Sequence, residues 1–127
     1  MILVDSDVLI AHLRGMPEAR DWLIAARRRA VLAISVVSIA EIIGDMRSVE
    51  RRRYGACSRP LRTEPVNELI ARRAGELMRH YRRSHTGIGL GDYLIAATAD
   101  TRGLSLATLN VRHFPMFKGI QPPFELT

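Results

Sequence analysis

Three carboxylates and one amide, Asp5, Glu41, Asp92 and Asn110, occupy positions that invite a chemical reading. Glu41 is the oddest. It is the single acid in SVVSIAEIIG, residues 35–44, where every other residue is apolar or small. A carboxylate in such surroundings loses hydration unless it is paired, protonated or bound to a cation. Asp5 closes the apolar run ILVD, Asp92 follows the loop TGIGLG, and Asn110 stands two residues past LSLAT. Carboxylates brought together repel and raise one another's pKa, so a cluster is costly unless a cation neutralises it. An all-oxygen donor set suits a hard ion, Mg²⁺ or Mn²⁺.

Each residue also has a purely structural reading. Asp5 or Asp7 can cap a following helix, and Asp92 can interact with a helix dipole. Ser38 and Glu41 match the S-x-x-E capping box, and Asn110 suits a turn. The glycines of TGIGLG resemble a phosphate cradle, yet an acid at the next helix start repels phosphate unless a metal lies between them. No Gly-Lys-Ser/Thr follows, so the loop is not a P-loop. The histidines, His12, His80, His85 and His113, show no metal-ligand spacing and read as surface or helix-end residues. No G-x-S-x-G nucleophile elbow is present.

The elements decide whether these residues meet. ILVD (2–5), LAIS (32–35) and LSLAT (104–108) read as short buried strands. Between them come helical segments at 7–14, from Pro17 to the arginines at 27–29, at 37–53, from Val66 to about His85, and over DYLIAATADTRG. Residues 54–65 are poorly patterned, with Gly55, Pro60 and Pro65 as breakers, and support no assignment. The tail is turn-rich with room for one short edge strand. Strands alternating with helices predict a single α/β domain over 1–127, with a mostly parallel central sheet flanked by helices. Ligands of such sheets gather outside the carboxyl ends of the strands. Asp5, Asn110, Asp92 and Glu41 all belong near that edge.

Composition sets the bounds. The 127 residues suit one modest core, with 47% hydrophobic and 25% charged residues. The start MILVDSD meets two acids by position 7, unlike a secretory leader, and no apolar run reaches the ~20 residues of a membrane span. A lone Cys57 allows no internal disulfide and fits a reducing cytoplasm. Net charge is +6, and arginine supplies all the basic residues but Lys118. Arginine suits phosphate and nucleic acid, although GC-rich codons produce the same bias. Arg51, Arg52, Arg53, Arg72, Arg73, Arg79, Arg82 and Arg83 are candidates for RNA backbone contact by charge alone.

VDSDVLIA, AISVVSIAEIIGDMR and GIGLGDYLIAATADTRGLSLATLNVRHF together resemble PIN-domain ribonuclease toxins of the VapC type, from the first strand to about Phe117. The resemblance implies a Mg²⁺- or Mn²⁺-dependent endoribonuclease in which a metal-activated water attacks the phosphodiester. Asp5, Glu41 and Asp92 match the family's three acidic positions. Asn110 stands at the fourth, often Asp in the wider superfamily, which bears on whether a second metal binds. By this resemblance Asp5 and Asp92 are the principal metal ligands, Glu41 holds or activates a metal-bound water, and Asn110 orients water or ligand. Ser6 and Thr108 lie where they can donate hydrogen bonds behind them. The resemblance also implies a small VapB-type antitoxin covering the active-site groove, a homodimer, and operator DNA bound only through the antitoxin.

Two other readings stay open. One is a non-catalytic PIN-like domain that binds RNA or protein. The other starts from ILVDSDVL, which resembles the first motif of haloacid-dehalogenase-like phosphatases. There Asp5 would be the nucleophile and Asp7 a general acid, but Lys118 is poorly placed for that chemistry.

Overall fold

The computed structural model describes residues 1–125. Its strands are β1 (Ile2–Val4), β2 (Leu32–Ser35), β3 (Arg62–Glu64) and β4 (Ser105–Ala107). Its helices are α1 (Ser6–Leu13), α2 (Pro17–Arg29), α3 (Val36–Asp45), α4 (Arg51–Ser58), α5 (Glu68–Tyr81) and α6 (Leu90–Arg102). Single 3₁₀ turns lie at Ser48–Glu50 and Val111–His113. The strands form one parallel sheet in the order β3-β2-β1-β4. All four carboxyl ends therefore share one edge.

Strand periodicity splits the core into two layers. Leu3 and Ala33 pair in register and face α5 and α6, with Ile70, Ala74, Leu77, Tyr93 and Phe114. Val4, Leu32 and Ile34 face the other way, onto Leu9, Leu13, Leu23, Ala26 and Ile42. Each fully buried large side chain contributes roughly 1.5–3 kcal/mol through removal from water. Gly103 ends α6 with φ 66°, a left-handed conformation that favours glycine.

The predicted helix at 37–53 is interrupted. α3 stops at Asp45, and Met46 is extended, with ψ 148°. The Arg47 amide instead donates to Glu50 Oε1 at 2.7 Å, which turns the chain into a 3₁₀ turn and then α4. Glu50, 4% exposed, also accepts from the Arg47 guanidinium at 2.8 Å and from Arg14 Nε at 3.1 Å. The unassigned segment 54–65 holds the end of α4 and all of β3. The predicted strand in the tail does not form among the described residues; β4 is itself the sheet edge on that side. α5 begins at Glu68 because Asn67 caps it, its Oδ1 accepting from the Ile70 amide at 2.9 Å.

Candidate active site

β1 delivers Asp5 to the carboxyl edge, where it caps α1 and lines the site at once. Its Oδ1 accepts from the Ser6 amide at 2.8 Å. Its Oδ2 accepts from the Thr108 hydroxyl at 2.8 Å. The pairing of Val4 with Ala107 brings Thr108 alongside, and the Asp5 amide donates to the Ala107 carbonyl at 2.9 Å. Asp5 is 5% exposed. Burial, then the neighbouring charge of Asp7, push its carboxyl up to about 7 against these hydrogen bonds, with Asp92 adding a further push.

In the first turn of α1, two residues on, Asp7 faces the same place. Its Oδ2 accepts from the Leu109 amide at 3.0 Å and lies 3.2 Å from the Thr108 hydroxyl. Its Oδ1 is buried without a partner, and burial raises its pKa. Thr108, wholly buried, thus stands between two carboxylates while its oxygen accepts from the Asn110 amide at 3.1 Å.

Glu41 lies on α3 and is exposed, so the apolar run around it is no obstacle. The capping box with Ser38 does not form. Ser35 is the cap, accepting from the Val37 amide at 3.0 Å, and the Ser38 hydroxyl is buried without a partner. α3 therefore starts earlier than the box requires. The Glu41 carboxyl is nonetheless raised, first by partial burial and then by Asp92 and Asp7, while a hydrogen bond from Ser6 lowers it.

Asp92 enters from the first turn of α6, its Oδ2 lying 2.8 Å from His113 Nδ1. The same ring nitrogen is 2.9 Å from Nδ2 of Asn110. One nitrogen cannot donate and accept together. Facing a carboxylate, Nδ1 carries the proton and donates to Asp92. Asn110 then joins this contact through its amide oxygen, reached by a half-turn of its last torsion, and its NH₂ is free for another acceptor.

The structure therefore gathers Asp5, Glu41, Asp92 and Asn110 at one edge, and adds Asp7 and His113. From sequence, Asp7 reads as a helix cap or as the general acid of the phosphatase alternative, and His113 as a surface or helix-end residue. His113 lies three residues after Asn110 on a 3₁₀ turn, where residues at that spacing eclipse, and this was the available signal. Lys118 is exposed and paired with neither Asp5 nor Asp7, so the phosphatase reading gains no support. Among the described residues, no arginine or lysine forms an ion pair with Asp5, Asp7, Glu41 or Asp92.

The donor set fits a hard cation. It is oxygen-rich, short of positive charge, and holds an unpartnered buried carboxylate oxygen on Asp7. Among the described residues no three acids, histidines or cysteines close into a metal cage.

Comparison with known proteins agrees with the fold. Residues 2–117 match the PIN domain family. The chain is 66% identical over 126 residues to Ribonuclease VapC10 of Mycobacterium tuberculosis, covering 99% of this chain and 95% of that protein. It is 41% identical over 125 residues to Ribonuclease VapC19 of the same organism, covering 98% and 100%. Among solved structures, a toxin-antitoxin complex from Klebsiella pneumoniae superposes with TM-score 0.82 at 27% identity, covering 99% of this chain and 100% of that one. FitAcB from Neisseria gonorrhoeae gives TM-score 0.72 at 26% identity over 90% and 91%.

Proposed function

Because this chain belongs to the PIN-domain family, and within it to the VapC-type ribonuclease toxins, we propose that it hydrolyses RNA phosphodiester bonds with Asp5, Asp92 and Glu41 around Mg²⁺ or Mn²⁺. The observation that carries this reading is the meeting of Asp5, Asp7, Glu41 and Asp92 at the carboxyl edge with, among the described residues, no arginine or lysine ion-paired to them. When bound, the cation offsets that charge, polarises the scissile phosphate and lowers the pKa of attacking water.

The chain's own residues then have distinct tasks. Asp5, fixed by Ser6 and Thr108, and Asp92, fixed by His113, hold the cation. Glu41, the most exposed acid, takes the proton of the attacking water. Asn110 donates its amide N–H to a phosphate oxygen where a fourth carboxylate would repel it. Asp7 aligns Thr108 and adds negative charge.

The partners follow from the same membership. The Klebsiella relative is solved as a toxin-antitoxin complex, and on this reading the chain pairs with a VapB-type antitoxin and reaches operator DNA only through it. Exposed Val36 and Ile43 on α3 and Leu69 on α5 offer apolar surface to a second copy. No helix among the described residues is long and apolar enough to cross a membrane, and the working compartment of the proposal is the cytoplasm.

The test is cleavage of total cellular RNA by antitoxin-free protein in Mg²⁺ or Mn²⁺, with Asp5→Ala beside it and new 5′ ends sequenced. Discrete cuts abolished by EDTA and by Asp5→Ala are expected. Absence of cuts from folded protein across several metals and RNA sources would leave a non-catalytic binding domain.

A further inference from the structure

Beside the acids lies a hollow of opposite character. Its volume is ≈ 390 Å³, and it is lined by Ser84, His85, Thr86, Arg112 and His113. The size falls in the roughly 300–1,000 Å³ range of small-ligand sites. No acid lines it. One wall, His113, is the residue whose Nδ1 meets Asp92 at 2.8 Å, so the hollow and the acidic cluster share a side chain.

Arg112 is exposed and, among the described residues, forms no ion pair or hydrogen bond. Several other candidate arginines are already engaged. Arg53 donates to the Leu13 carbonyl at 3.0 Å, Arg72 to Glu68 at 2.8 Å, and Arg73 to Asp100 at 2.8 Å. Across the hollow, the His85 ring is oriented from two sides. Its Nδ1 is 2.8 Å from the Ser84 hydroxyl, and its edge packs on Tyr81 at 5.6 Å between ring centroids. An exposed flat ring held in place can stack an unpaired base, a guanidinium can take a phosphate, and hydroxyls can meet a ribose 2′-OH.

We propose that this hollow seats the nucleotide next to the scissile phosphate of a single-stranded RNA, with Arg112 on its phosphate and His85 against its base. The proposal rests on the ribonuclease reading and supplies its substrate side. The strand crosses His113, one phosphate over the carboxylates and the next at Arg112. A polyanion approaching four acids needs such a cationic anchor beside them.

The test measures binding of a fluorescein-labelled random single-stranded RNA by anisotropy in Mg²⁺ buffer. Asp5→Asn protein is used so that the RNA stays whole. Adding Arg112→Ala should weaken binding roughly tenfold, the loss of one charge-assisted contact. It should also lower the salt-dependence slope by about one. Adding His85→Ala should weaken binding at unchanged slope. Arg29→Ala, at the end of α2 near the opposite sheet edge, serves as the charge control. Unchanged binding in Arg112→Ala, or an equal loss in Arg29→Ala, would overturn the proposal. Wild-type cleavage is assayed in parallel. If the wild type does not cut but Arg112→Ala still weakens binding selectively, the ribonuclease reading fails and the nucleotide seat stands.

Discussion

Gly91 and Glu41 meet across two helices: a Cβ placed on Gly91 would lie 3.1 Å from Glu41 Oε2 and 3.7 Å from Val37 Cγ1. The glycine is what lets α6 approach the Glu41 carboxylate. In Gly91→Ala the methyl pushes on a flexible, exposed side-chain end, while alanine favours the helix by up to about 1 kcal/mol. The expected outcome is unchanged or slightly raised melting temperature with RNA cleavage about tenfold slower. Glu41→Gln, which keeps the shape and removes the charge, should melt normally and lose cleavage by at least ~100-fold. An active Glu41→Gln protein would remove Glu41 from the mechanism.

Asp5 makes stability oppose function. Its folded pKa of about 7 lies above the ordinary 3.8. For an acid raised on folding, the folded state binds the proton more tightly. The destabilisation is absent below about 3.8, grows as pH rises, and is complete above about 7. At roughly 1.4 kcal/mol per unit it reaches a few kcal/mol. In EDTA, Asp5→Asn should therefore melt higher than wild type at pH 8, with the gap closing toward pH 4. Added Mg²⁺ should raise the wild-type melting temperature and leave the variant unmoved. Melting scans across pH, with and without the ion, decide it.

Glu50 carries the opposite sign. Hydrogen bonds from Arg47 hold its carboxyl down at about 2, below the ordinary 4.5, with Arg14 assisting. Its contribution is full above about 4.5 and is lost as pH falls through about 2. Glu50→Gln should lower the melting temperature at pH 7 and lose that difference toward pH 2. Cleavage by the folded variant should be unchanged, because Glu50 braces the 3₁₀ turn after α3 and not the acidic cluster. A pH-independent difference would mean that shape, not charge, is what Glu50 supplies.

How legible the molecule was follows from what each residue touches. β1 and β2 were readable because ILV and LAI are central strands of a parallel sheet, covered on both faces, and β4 because LSLA keeps apolar residues at an edge strand. β3 was not, since Arg62 and Thr63 are exposed and only Glu64 is buried, an edge strand without an apolar signature. α4 buries no residue of its own, so RRRYGACS carries no periodicity to find. Asp5, Asp92 and Asn110 stand out because each lies at or just past the end of a readable element, and Glu41 because it is the lone acid of an apolar helical run. Asp7 needed contacts with Thr108 and Leu109, 101 and 102 residues away, which no local spacing encodes.

His113 and Arg112 are neighbours in sequence with separable tasks, and kinetics can tell them apart. His113 touches Asp92 and Asn110, so it acts on the metal-holding side as a positioning residue. Arg112 touches neither and faces the hollow. Removing the ring in His113→Ala frees the Asp92 carboxylate to turn and ends the bond that fixes Asn110. More Mg²⁺ should then be needed for half-maximal cleavage, and kcat at saturating ion should fall about tenfold. His113→Asn, whose amide can still donate to Asp92, should recover part of the metal affinity. Arg112→Ala should raise KM with the Mg²⁺ requirement unchanged. The measurement is a Mg²⁺ titration of initial rates at several RNA concentrations for all three variants. A His113→Ala protein with the wild-type Mg²⁺ requirement would show that Asp92 keeps its place without the ring.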